Sequence, residues 1–353
     1  MRALLLLLSL LLSGALLPPL AQAEEPRNAA AFEREKPATV VNPAAELWNK
    51  VRQREQPGFA GSTQVGQMNA GELVNPDGEE WRLFRRDELI PTGGWLLLAA
   101  FGAVLLLALI RPSVPIPGGE SGQRLRRFDA MRRVTHWVMA ISMLVLALTG
   151  LVIFTGRYLL LPWMGKQAFG TLAALSQQIH ELSGPVFAAS LLVFFLLFVA
   201  RNLPAAVDFK WLFRLGGLIG EGHPPAGFFN AGEKILFWIV VLLGVALSVS
   251  GLAMLFAHLV QDRALLQLLV IVHAISALLM TATVFGHIYM ALSVRGTLRA
   301  MRDGYVDANW ARSHHPLWFD EQAERGALED DRAPAPGGGE GEGEGDAARA
   351  GGH

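Results

Sequence analysis

Six runs of apolar residues interrupt an otherwise polar chain. The first, Ala3 to Leu17, follows Arg2 and stops shortly before Ala21-Gln22-Ala23. A short apolar core ahead of a small-residue cleavage pattern predicts an export signal over 1–23. Residues 24–92 scatter Pro, Gly, Asn and charge, with one denser cluster from Glu79 to Arg86. That stretch predicts a loosely structured segment outside the cytoplasm. Five longer runs follow at roughly 93–110, 134–155, 181–200, 235–258 and 266–292, each close to the ~20 residues that cross a bilayer. They predict five spanning helices, the last long enough to tilt or project past the membrane. Small residues within them permit close helix packing, and an isolated Gly there is read as tolerated without a functional role. The tail, 321–353, turns to Pro, Gly, Glu and Ala and is predicted to be disordered.

Composition sharpens this picture. The 353 residues are 52% hydrophobic and only 17% charged, an apolar share above that of ordinary soluble domains. A net charge of −1 gives no global field that would suggest nucleic acid as a partner. There is no cysteine. Disulfides, thiolate-held iron–sulfur clusters, covalent CxxCH haem attachment and a cysteine nucleophile are therefore excluded from this chain, and any metal must be held by His or carboxylate. Basic residues set the orientation. The connection 111–133 carries Arg111, Arg124, Arg126, Arg127, Arg132 and Arg133, whereas 156–180 has only Arg157 and Lys166. The connection 201–234 is again basic and the short turn 259–265 is not. Positive loops on the inside give an outer N-terminus and an inner C-terminus, in agreement with the export signal.

Histidines carry the chemistry, because an ionisable side chain in an apolar run is costly and marks function. His136 opens the second span on the inner side, in Arg133-Val134-Thr135-His136-Trp137, and His180 opens the third on the outer side. His273 and His287 share the last span, 14 residues apart, which leaves them about 40° apart around the helix and about 21 Å apart along it. Two histidines thus lie at each depth: His180 with His273 outside, His136 with His287 inside. That geometry predicts two bis-histidine b haems stacked across the membrane. His258 at a helix end, His223 in a loop and His353 in the tail are read as ordinary polar residues. His314-His315 is read as a surface docking motif.

The loop Phe228-Phe229-Asn230-Ala231-Gly232-Glu233-Lys234 precedes the fourth span on the inner side. Asn230 is a natural helix cap, and the same backbone donors with the Asn and Glu side chains could hold a quinone carbonyl and relay protons.

These residues resemble the gamma (cytochrome b) subunit of membrane-bound respiratory formate dehydrogenases, over about residues 125–320. The most specific parts are His273 with Gly286-His287-Ile288-Tyr289-Met290-Ala291 and Arg295-Gly296-Thr297, the Asn230-to-Lys234 loop and His314-His315-Pro316-Leu317-Trp318. The export signal, the outer segment and the first span resemble the longer form of the family. The resemblance implies an all-α membrane fold, a four-helix diheme bundle plus one extra N-terminal helix at 93–110. It implies His136 paired with His287 on the inner haem iron, and His180 with His273 on the outer. It further implies a menaquinone or ubiquinone near the inner haem, contacted by His287, Asn230, Gly232, Glu233 and Lys234; Glu233 stands where the short form has Gln. The partners implied are a molybdenum or tungsten formate-oxidising subunit and an iron–sulfur subunit, at the bacterial inner membrane. Two other readings stay open from the residues: a cytochrome b subunit of a hydrogenase or thiosulfate-type reductase, and a haem-free membrane anchor whose histidines make only polar contacts.

Overall fold

Where water is absent every backbone group must be bonded within the chain, and Leu-, Ala- and Val-rich runs meet that demand as helices. The computed structural model describes residues 76–331 apart from 112, 215, 217–223 and 261. The export signal, most of the outer segment, the end of the tail and His223 lie outside the described residues. In chain order the helices are α1 (Pro76–Phe84), α2 (Ile90–Ile110), α3 (Ala130–Leu159), α4 (Leu161–Phe198), α5 (Ala206–Phe213), α6 (Ala231–Leu255), α7 (Arg263–Ser293), α8 (Thr297–Arg302), α9 (Ala308–His314) and α10 (Pro316–Glu324). The strands are β1 (Gln123–Arg126), β2 (Tyr305–Asp307) and β3 (Glu329–Asp330). Five helical stretches, Gly78–Ile110, Ala130–Leu159, Leu161–Arg201, Ala231–Leu255 and Arg263–Ser293, are long and apolar enough to cross a membrane. The helical membrane architecture predicted from the sequence is borne out. The described residues fall into two compact units: 76–111 with Val138–Val193 and Ile239–Tyr289, and 113–137 with 194–238 and 290–331.

In the first unit, glycines bring helices into direct contact. A Cβ on Gly93 of α2 would lie 2.7 Å from Leu278 of α7, and one on Gly244 of α6 would lie 2.7 Å from Leu191 of α4. A Cβ on Gly156 of α3 would meet Phe169 of α4 at 2.8 Å. Phe101 of α2 sets its ring edge-on to Phe285 of α7, with centroids 5.8 Å apart. Small residues at crossings are what helices need when lipid removes the usual hydrophobic drive. The outward faces stay apolar, with Leu182 76% and Leu242 65% exposed, a surface suited to acyl chains. Gly165 (φ +76°) breaks α4 near its start, in a conformation that Gly adopts without the Cβ penalty.

The second unit holds a feature the sequence did not suggest: a three-stranded antiparallel sheet in the order β2-β1-β3. Leu125 pairs with Val306 and Arg124 with Glu329. Leu125 and Val306 are fully buried. After β1, the Arg127 and Phe128 amides both donate to Gly304 O, at 2.8 and 3.1 Å. A Cβ on Gly304 (φ +91°) would lie 2.6 Å from Phe128 O, so this turn requires Gly. Two expected boundaries also move. The Glu79-to-Arg86 cluster, read as loosely structured, continues α1 through a π-helical turn (Arg85–Leu89) into α2, helped by the i,i+3 pair Arg82–Glu79 at 2.6 Å. The tail stays folded through α10 and β3, where Arg299 forms a bidentate pair with Asp331.

Candidate functional site

His180 and His273 meet inside the first unit, their ring centroids 6.1 Å apart. Each is seated by a hydroxyl residue followed by glycine on another helix. Thr149 Oγ1 of α3 lies 2.9 Å from His180 Nδ1, and Ser250 Oγ of α6 lies 3.0 Å from His273 Nδ1. The neighbouring glycines leave room for the rings: a Cβ on Gly150 would touch His180 Cε1 at 3.3 Å, and one on Gly251 would touch His273 Cε1 at 3.1 Å. Four helices therefore contribute to the site, two with histidines and two with hydroxyl–glycine pairs.

The separation is right for a shared metal. Two metal–nitrogen bonds of ~2 Å plus the ~1 Å from each ring nitrogen to its centre give about 6 Å between imidazoles on opposite sides of one iron. With Nδ1 engaged by a hydroxyl, Nε2 is the atom left for the metal, the second-sphere arrangement that ligating histidines use. Among the described residues no group of three or more His, Cys, Asp or Glu could hold a metal by itself. Two imidazoles at this spacing would suit a haem, whose porphyrin would supply the remaining ligands. The donor set thus fits the group.

His136 lies on α3, and His287 is exposed on α7. The structure brings the loop residues together around the start of α6 in the second unit. Asn230 Oδ1 accepts the Glu233 amide and Glu233 Oε2 accepts the Asn230 amide, both at 2.9 Å, a reciprocal capping box. Glu233 also accepts from Arg127 Nη2 at 3.1 Å. Lys234 Nζ reaches Asp208 Oδ2 of α5 at 2.8 Å. Gly232 lies under Trp211, whose ring would be 2.9 Å from a Cβ there.

His314-His315 is not the surface motif expected. His315 is 1% exposed, donates from Nδ1 to Gly227 O at 2.9 Å, and stands 3.7 Å from Glu233 Oε2. His314 stacks on Trp310, with centroids 5.0 Å apart. Between Glu233 and these rings sits Arg127, its side chain 2% exposed, with its guanidinium carbon 4.8 Å from the Trp310 centroid and 5.4 Å from that of Phe228. Desolvation of a cation this deep is offset by the carboxylate and the aromatic faces together. Burial, then the Arg127 charge, push His315 well below the ordinary histidine range. A folded pKa below the unfolded one gives stability that is full above ~6.5 and lost as pH falls below it. Protection factors of the α9 and α10 amides, which allow for the intrinsic slowing of exchange in acid, are therefore expected to fall as pH drops below ~6.5, and His315→Asn should flatten that dependence. Protection factors unchanged down to pH 5 in the parent would contradict it.

The sequence reading missed Thr149, Gly150, Ser250, Gly251, Arg127 and Trp211 as parts of these sites. Gly150 and Gly251, read there as tolerated interruptions, lie against the His180 and His273 rings. The only available signal was the recurrence of a hydroxyl–glycine pair in two apolar runs.

A bundle of membrane-capable helices that brings two imidazoles to the spacing a shared iron would need fits a membrane b-type cytochrome, a carrier of electrons. Residues 127–304 match the model of the family described as prokaryotic cytochrome b561, and the chain belongs to that family. It is similar to the nitrate-inducible formate dehydrogenase cytochrome b556(Fdn) subunit of Escherichia coli K12, 29% identical over 194 residues, 54% of this chain and 87% of the relative. It is also similar to the formate dehydrogenase cytochrome b556 subunit of Haemophilus influenzae, 29% identical over 214 residues, 59% of this chain and 87% of that one. The cytochrome b556(fdo) subunit of Escherichia coli K12 matches at 29% over 198 residues, 55% of this chain and 92% of the relative.

Proposed function

We propose that this chain is the membrane subunit of a formate dehydrogenase and conducts electrons from an outer iron–sulfur partner, by way of two b haems, to quinone on the inner side. The single observation that carries the reading is the adjacent pair His180 and His273, seated at a spacing that suits one iron. The relatives are named as formate dehydrogenase subunits, and the family resemblance implies the rest of the complex: a formate-oxidising molybdenum or tungsten subunit and an iron–sulfur subunit. With no cysteine here, formate oxidation and iron–sulfur chemistry belong to those partners.

His136 and His287 are the proposed ligands of the inner haem. Along α3, His136 is 14 residues from Gly150, which touches His180; along α7, His287 is 14 residues from His273. Each step is about 21 Å of helix. A haem, when bound, exchanges one electron at its iron. The four histidines would hold it, two at each proposed site.

The quinone is proposed at the Asn230-to-Lys234 loop with His287. The cap uses only Oδ1 of Asn230, so its Nδ2 is the donor offered to a quinone carbonyl. Glu233, Gly232 and Lys234 shape the loop around it, and Glu233 is the group suited to pass protons from the cytoplasm. The chain sits in the bacterial inner membrane with its N-terminus outside. Electrons then move toward the negative side, against ~2.3 kcal/mol per 100 mV, and formate oxidation supplies that work.

Affinity purification of the native complex tests the reading. Formate-oxidising and iron–sulfur subunits should co-purify, with two haems per chain by pyridine haemochrome. Membranes lacking the chain should oxidise formate with an artificial dye yet fail to reduce quinone with it. Co-purification of a hydrogenase or a thiosulfate-type reductase instead would overturn the proposal.

A further inference from the structure

We propose that Thr149 and Ser250 are positioning residues that hold His180 and His273 as iron ligands, each by accepting the Nδ1 proton. The inference rests on the reading above, in which these histidines bind the outer haem. Nothing about either residue type announces such a role, since Ser and Thr in membrane helices commonly turn back onto their own backbone. Here that turning back is what fixes the chemistry.

A hydroxyl has one hydrogen to give. Thr149 gives it to Val145 O at 2.8 Å, with Leu146 O at 3.2 Å. Ser250 gives it to Ala246 O at 2.6 Å, with Leu247 O at 3.3 Å. Both hydroxyls are thereby left as acceptors, and each faces an Nδ1, at 2.9 and 3.0 Å. The hydrogen on each imidazole then sits on Nδ1, and Nε2 keeps its lone pair for the metal. A reversed tautomer would put a hydrogen on Nε2, where a metal must bind.

The two halves repeat one device. In each, a hydroxyl residue donates to the carbonyl four residues back, accepts from a histidine on a neighbouring helix, and is followed by a glycine against the same ring. The glycine sets how close the ring comes and the hydroxyl sets how it is turned. An acceptor at Nδ1–H also raises the basicity of the ligand nitrogen. More electron density at the iron favours its oxidised state, so the pair holds down the midpoint potential of the outer haem.

The test uses the purified complex with Thr149→Val and Ser250→Ala. Thr149→Val keeps the shape and removes the acceptor. Each variant should raise the outer haem midpoint in a redox titration and shift its low-spin EPR signal, leaving the inner haem unchanged. Transfer of the outer haem to excess apomyoglobin should quicken by ~10–100-fold, the usual cost of losing such a partner. Thr149→Ser and Ser250→Thr retain a hydroxyl and should restore parental values. Thr155→Val is the control, because Thr155 donates to Leu151 O at 2.8 Å in the same helix and has no part in the proposed device. The inference is overturned if both variants titrate and release haem as Thr155→Val does, or if a variant loses its haem and the hydroxyl-retaining replacement fails to restore it. Fewer than two haems in the parent would instead defeat the diheme reading on which it rests.

Discussion

Complexes carrying His273→Ala are expected to contain one b haem per chain where the parent has two, and to reduce no quinone with formate. Under the proposed ligation, alanine would leave the outer haem only His180 to hold it and would open a hole where the second ring stood. Ser250 Oγ simultaneously loses its contact with His273 Nδ1, at 3.0 Å. The proposed inner ligands, His287 14 residues further along α7 and His136 on α3, are untouched, so the remaining haem should show an unaltered low-spin spectrum. Dye-linked formate oxidation should survive, because a dye takes its electrons before they reach this chain. His258→Ala provides the comparison. That residue sits in a short turn with its ring 6.3 Å from Phe256 and should cost neither haem nor activity. Two haems retained in His273→Ala would remove His273 from the ligand set, and loss of the inner haem instead would mean the chain lies in the membrane the other way up.

Quinone reduction is expected to fall by ~10²-fold in Asn230→Ser, the scale on which positioned hydrogen-bonding and proton-transfer groups act. The choice of Ser follows from the capping box. Asn230 Oδ1 holds the Glu233 amide, so Asn230→Leu would remove the cap along with any quinone contact. Loss of a cap costs ~1 kcal/mol, and a damaged start of α6 could mimic a damaged quinone site. Ser caps helices as well as Asn does but offers no amide N–H, which separates the two roles. Thermal stability and both haem spectra should match the parent, while the inner haem accumulates in its reduced form during turnover. Parental quinone reduction in Asn230→Ser would show that the loop is a helix cap and nothing more.

The five spans were legible as long apolar runs, and the meeting of His180 with His273 because a polar group inside such a run has no ordinary explanation. Thr149 and Ser250 were not, because hydroxyl residues are common in such helices and reveal nothing until a histidine on another helix faces them. Gly150 and Gly251 looked like tolerated interruptions, yet each lies against a ring that a larger residue would displace. The sheet escaped notice because β1 is four residues, Gln123-Arg124-Leu125-Arg126, and reads as part of a basic loop. Its order comes from long-range pairing with Tyr305–Asp307 and Glu329–Asp330, which no local pattern encodes. Arg127 was counted among the inner-side charges, a role suited to water. Its burial depends on Glu233, more than a hundred residues later, and on rings from three separate parts of the chain.

Because the outer site draws on α3, α4, α6 and α7, neither hairpin can build it alone. A nascent chain that has inserted α3 and α4 owns His180 and its seat on Thr149 but has no opposing imidazole. The opposing ligand and its own seat arrive only when α6 and α7 enter the membrane. If the proposed outer haem is held here, its capture would have to follow insertion of the last span, and the cofactor would serve as a bolt between two separately inserted hairpins. Cells starved of haem should accumulate the full-length chain with its hairpins threaded but unlatched, and quality-control proteases in the membrane would meet it in that state.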